Sequence, residues 1–90
     1  TLRMQGGKKG IVNIDSLSRA FASGEVVTVE KMRKKKLLKP GVGIVKVLAR
    51  GVLDKPLIVE AHDFSLDAVK MIILTGGKAH RLRSSKIQTE

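Results

Sequence analysis

The apolar positions of this chain come in short blocks, each closed by a residue that stops or turns the backbone. Ile11-Val12-Asn13-Ile14 is a strand-like run, and Asp15 or Ser16 after it can accept bonds from orphan backbone N–H groups and so start a helix. Leu17, Ala20 and Phe21 then fall at i, i+3 and i+4, which predicts one buried helix face, with Gly24 as the stop. Thr28 predicts a second helix start, with Glu30 well placed in the first turn and Val29 and Met32 as its buried pair. Beyond Met32 the pattern turns polar all round, and Pro40 with Gly41 and Gly43 ends the unit.

In the second half, Ile44 to Ala49 alternates as a half-buried strand should, with Val45, Val47 and Ala49 on one side and Lys46 on the other. Arg50-Gly51 and Asp54-Lys55-Pro56 supply turn chemistry around Leu53, and a further strand is expected over Leu57 to Ala61, close to the preceding one because the connection is short. Phe64 precedes a Ser65 cap and can staple onto Val69, so a helix is predicted with Leu66, Val69, Ile72 and Ile73 as its buried stripe. Asp67 complements the helix dipole and Gly76-Gly77 is the stop. A final basic strand spans Lys78 to Leu82. The predicted order is strand, helix, helix, strand, strand, helix, strand: a small single α/β domain of short elements.

The flanks differ from this core region. Thr1 to Gly10 holds Arg3, Lys8, Lys9 and three glycines, too little apolar surface to repay the entropy of ordering, and is expected to be a flexible basic arm. The globular domain is expected over 11–82, with 83–90 as a polar tail. Ninety residues hold one modest core, since a chain of this size buries only about 60 to 65% of its unfolded surface.

Charge changes the picture most. Eighteen Lys and Arg against eight Asp and Glu give a net charge of +10, so a polyanionic partner is expected. No run of about 18 apolar residues exists, and no long helix segregates basic and aromatic faces, which argues against a membrane partner. The absence of cysteine excludes disulfides, thiolate zinc sites and cysteine nucleophiles. The first residues show no secretory signal pattern, so an intracellular protein is expected, and a start at Thr rather than Met fits a processed or excerpted chain.

A set of spaced residues carries a family likeness. Lys46-Val47-Leu48-Ala49-Arg50-Gly51, then Leu57, Val59, Phe64-Ser65, Ala68, Ile72 and Gly76, closely resembles the C-terminal signature of the universal ribosomal protein fifteen family of the large subunit. Val12-Asn13-Ile14-Asp15-Ser16-Leu17 and Val27-Thr28-Val29-Glu30 are similar to the segments that precede it, so the likeness covers roughly residues 11 to 82. It implies a compact α/β domain built as an irregular repeat of two strands and a helix. It also implies a non-enzymatic role on large-subunit ribosomal RNA beside neighbouring ribosomal proteins, within a cytoplasmic or organellar ribosome, and support for subunit assembly. The long Gly- and Arg-rich front extension that the likeness implies is not matched, since only Thr1 to Gly10 stands there. Physics gives Gly51 and Gly76 turn and cap roles, Ala68 a close helix approach and Phe64-Ser65 the helix entry, so these are folding residues.

Phosphate contacts need cations on flexible stems. The first candidate is the segment Lys31 to Lys39, with six positive charges in nine residues: Lys31, Arg33, Lys34, Lys35, Lys36 and Lys39. Lys8 and Lys9 in the arm, Arg50 at a turn, Lys78, Arg81 and Arg83 near the last strand, and Lys86 in the tail are secondary candidates. The bland alternative for the main cluster is a solvated face that keeps the protein soluble. There is no Trp or Tyr, and the two Phe residues read as core, so aromatic base stacking is nearly excluded and recognition by RNA shape and backbone is expected. His62 and His80 make a poor metal or base site, Ser65 reads as a cap rather than a nucleophile, and the Gly41–Gly43 and Thr75–Lys78 stretches lack phosphate-loop spacing. No catalysis, cofactor, metal or small-molecule substrate is expected. The competing reading is a basic accessory factor that binds nucleic acid outside the ribosome.

Overall fold

The computed structural model describes residues 8–82. Within them the order is β1 (Lys8–Asn13), α1 (Ile14–Ala20), β2 (Val26–Val27), α2 (Val29–Lys34), β3 (Val42–Leu48), β4 (Ile58–Ala61), β5 (Asp63–Phe64), α3 (Leu66–Leu74) and β6 (Lys78–Arg81). These strands form two three-stranded sheets, β1-β3-β5 and β2-β4-β6, with every pairing parallel. The chain is thus three successive strand–connection–strand units, each giving its first strand to one sheet and its second to the other. The connection is α1 in the first unit, an irregular segment in the second and α3 in the third.

Two strands go beyond the sequence pattern. Val26–Val27 and Asp63–Phe64 are two residues each, too short to show alternation, and exist because β4 and β3 offer them a parallel edge. The expected closeness of β3 and β4 holds without pairing, because residues 49–57 cross from one sheet to the other with Leu53 and Leu57 buried between. What ties them is His62, whose N–H donates to the Val45 carbonyl at 3.0 Å while its Nδ1 accepts the Val45 N–H at 3.1 Å. Lys8, Lys9 and Gly10, expected in the arm, instead pair with Val42, Ile44 and Val45 of β3.

Helix ends show which local signals prevail. Thr28 caps α2 by accepting the Lys31 N–H at 3.1 Å, and Ser65 caps α3 by accepting that of Ala68 at 3.2 Å, both as expected. For α1 the cap position is Asn13, with no side-chain bond, so neither Asp15 nor Ser16 starts the helix; the Asp15 N–H is satisfied instead by the Arg50 carbonyl at 3.0 Å. Gly24 does not stop it either. Extended backbone at Phe21 ends α1, and Gly24 belongs to the turn before β2.

A common core of fifteen buried apolar residues lies between the sheets and helices, among them Val12, Ile14 and Leu17 from the first unit, Val45, Val47 and Val59 from the second, and Ala68 and Ile72 from α3. The stripe expected on α3 is rotated. Leu66 is 72% exposed and Ile73 57%, while Ala68 and Ile72 are fully buried, because the sheet below admits a methyl where a larger side chain would hold the helix away.

α2 and α3 end in the same way. In α3 the N–H groups of Gly76 and Gly77 donate to the carbonyls of Ile73 and Ile72; in α2 those of Lys36 and Leu37 donate to Arg33 and Met32. This double bond pattern needs a left-handed residue at its first position, which is Gly76 at φ 90° in α3 and Lys36 at φ 61° in α2. Replacing Lys36 with Gly is expected to raise the unfolding free energy by up to about 1 kcal/mol, checked by urea denaturation, because the left-handed penalty on a side chain is removed. By the same measurement Gly51→Ala is expected to lose about 2 kcal/mol or more, since φ is 91° there and a Cβ would collide with the Asp15 side chain.

Candidate RNA interface

The cation-rich segment is only partly helical. α2 stops at Lys34, and the chain then runs through Lys36, Leu37 and Leu38 to the turn at Pro40-Gly41 that starts β3. Because β3 pairs with β1, the end of this segment lies beside the start of β1: the Lys8 N–H donates to the Gly41 carbonyl at 3.1 Å. Lys9 and Lys39 therefore line one groove together with Gly10, Ile11, Leu37 and Leu38, a concavity of about 340 Å³. Lys8 and Lys9, far from Lys39 in sequence, thus join the main cluster.

The candidate cations divide by what holds them. Lys31 donates to the Val26 carbonyl at 2.8 Å and lies 3.9 Å from Glu25. Arg33 donates to the Val42 carbonyl at 2.8 Å. Lys35 donates to the Ala20 carbonyl at the end of α1, with its ammonium 4.7 Å from the centre of the Phe21 ring. Arg81 donates to the His62 carbonyl at 3.3 Å and pairs with Asp63 at 3.5 Å, and Asp63 also meets Lys46 at 3.8 Å, so one carboxylate links β3, β5 and β6. These four are built into the fold. Lys8, Lys9, Lys34, Lys36, Lys39, Arg50 and Lys78 are exposed and make no side-chain hydrogen bond or ion pair with a described residue.

Not all candidates converge. Lys78 and Arg81 lie on β6, at the outer edge of the second sheet, with β4 between them and β2. Arg50 sits at the crossover, where its carbonyl holds the start of α1. Arg83 and Lys86, with residues 1–7 and the rest of the tail, lie outside the described residues.

Sequence reasoning missed two things here. It did not single out Ile11, Leu37 and Leu38 as part of a site; Leu37 and Leu38 also pack against the core, so an apolar pair between Lys36 and Lys39 reads first as packing. It also left out Lys55, whose ammonium donates to the carbonyls of Ser18 at 2.8 Å and Phe21 at 3.2 Å and, with Lys35, neutralises the carbonyl end of α1.

Histidine and acid chemistry does not assemble. His62 Nδ1 is occupied by the Val45 N–H, and among the described residues no three His, Cys, Asp or Glu side chains gather to hold a metal ion. Nor, among those residues, is any helix long and apolar enough to cross a membrane.

Comparison with known proteins gives this arrangement its family. A family model described as ribosomal proteins 50S-L15 and 50S-L18e, together with their 60S counterpart, matches residues 11–80. The chain is 44% identical over 69 residues to the large ribosomal subunit protein uL15 of Thermotoga petrophila, covering 77% of this chain and 47% of that protein. It is 45% identical over 69 residues to that of Thermosipho africanus, with the same shares, and 40% identical over 68 residues to that of Petrotoga mobilis, covering 76% and 45%. The chain spans about half the length of the curated relatives it matches. A model match over residues 11–80, from within the first strand to within the last, together with these identities, places the chain in the family of ribosomal proteins 50S-L15 and 50S-L18e and their 60S counterpart.

Proposed function

We propose that this chain is the C-terminal, RNA-gripping domain of a large-subunit ribosomal protein, working in the ribosome without catalysis, beside neighbouring ribosomal proteins, and supporting subunit assembly. The observation that carries this reading is the division of the cations: with four of the candidates engaged by the fold, seven exposed ones remain with no described partner, five of them on α2, its following loop and β1. Lys8, Lys9, Lys34, Lys36 and Lys39 form the principal contact surface, with Arg50 and Lys78 as separate contacts and Arg83 and Lys86 as contacts from the tail. Lys31, Arg33, Lys35 and Arg81 serve the fold first and add long-range field.

A second line of support is the strain at Lys36. A left-handed lysine where glycine would do without penalty is a feature retained at a cost, and such features concentrate where the side chain has a task. Phosphate attraction is such a task.

Binding to large-subunit ribosomal RNA fragments, duplex DNA and unrelated structured RNA at matched salt tests the reading. Tighter binding to the ribosomal fragments is expected, and equal affinity for all three would favour a general nucleic-acid-binding factor. Changing Lys34, Lys36 and Lys39 together to Gln is expected to flatten the dependence of log affinity on log salt by about 0.7 to 0.9 per lost contact. Changing Lys31 and Lys35 to Gln is expected to lower the melting temperature while moving that slope little.

A further inference from the structure

We infer that the groove between β1 and the Leu37–Lys39 segment receives a single unpaired RNA nucleotide, with its base against aliphatic side chains and its phosphate between Lys9 and Lys39. This rests on the RNA-binding reading above and adds to it a mode of contact that the composition alone argues against.

The groove is chemically two-sided. Lys9 and Lys39 supply positive charge, whereas Ile11, which is 60% exposed, and the outer parts of Leu37 and Leu38, half-buried against the core, supply apolar surface. A pure phosphate site would have no use for that apolar surface, and a purely apolar partner would have to desolvate the two ammonium groups. An unpaired nucleotide satisfies both, having an anionic phosphate and an aromatic face joined by a short ribose link.

Gly10 lets Val42 pack close beneath the groove. It stands against Val42, and a Cβ there would approach the Val42 Cγ1 to 2.6 Å, so a side chain at this position of β1 would force Val42, and the groove wall that it forms, to move. The protein's own rings leave the part to aliphatics: Phe21 is buried beneath the Lys35 ammonium and Phe64 packs against the core. An acidic peptide with an apolar side chain would fit less well, because Lys8, beside Lys9 on β1, and Lys34 and Lys36, on the segment leading to Lys39, are exposed with no partner among the described residues, and a phosphodiester backbone continues past the first contact to meet further cations.

The test uses the 90-residue chain and two RNA hairpins, one fully paired and one identical except for a single-nucleotide bulge. Wild-type protein is expected to prefer the bulged hairpin by about tenfold, at the lower end of what seating one base contributes. Ile11→Thr keeps the β-branch on an exposed edge position, so the fold is retained; it is expected to remove most of the preference and leave the salt slope unchanged. Lys9→Gln with Lys39→Gln is expected to reduce the slope on the bulged hairpin by about 0.7 per lysine. Equal wild-type affinity for both hairpins, or a preference that survives Ile11→Thr, overturns the nucleotide groove alone. Failure of the wild type to bind either hairpin in dilute buffer overturns the RNA-binding reading beneath it.

Discussion

The parallel pairing of strands from different units is the constraint on which the rest of this structure depends. Neither sheet contains two strands from the same unit, so every ladder hydrogen bond joins segments far apart in the chain. No unit can complete its own backbone bonding, and the fold must close as a whole around the shared core. The register follows from this closure: Val12 faces Val47, and Val27 faces Val59, each a fully or nearly fully buried pair. With no disulfide and a small core, the margin left for loose ends is narrow.

Lysine is how the chain manages those ends. The carbonyl end of α1 is met by Lys35 and Lys55, one from α2's cap and one from the crossover, so two connections that would otherwise be free loops are fastened to the first helix. Asp63 performs the converse service, one carboxylate drawing together Lys46 and Arg81 from different sheets. These exposed pairs are each worth little alone, but they set where the remaining charges stand. A cation fixed to a carbonyl is withdrawn from a nucleic acid, and its neighbours are left facing outward. Fold and binding surface are therefore two allotments of the same residue type.

The local features were legible because they depend on few residues near in sequence. The caps at Thr28 and Ser65, the stop at Gly76-Gly77, the buried Leu17 and Phe21 and the alternation through Val45 and Val47 are each written in a span of a few positions. Where the reading failed, a distant partner had intervened. Asp15 looked like a cap, but the Arg50 carbonyl takes its N–H; Leu66 and Ile73 looked buried, but the sheet selects Ala68 as the contact. Two-residue strands leave no periodic trace at all.

By itself, then, the sequence determined the class of fold, the excess of positive charge, the lack of aromatic platforms and the family likeness, since composition and short-range pattern carry all four. Which lysines are free was decided only in three dimensions, because that depends on which carbonyls and carboxylates come within about 3 Å of each ammonium. Lys34 and Lys35 are adjacent, identical in type and both exposed, yet Lys34 has no bonding partner among the described residues while Lys35 closes α1 over Phe21. The groove has the same origin: Lys9 and Lys39 meet because β1 pairs with β3, and nothing short of that pairing brings them together.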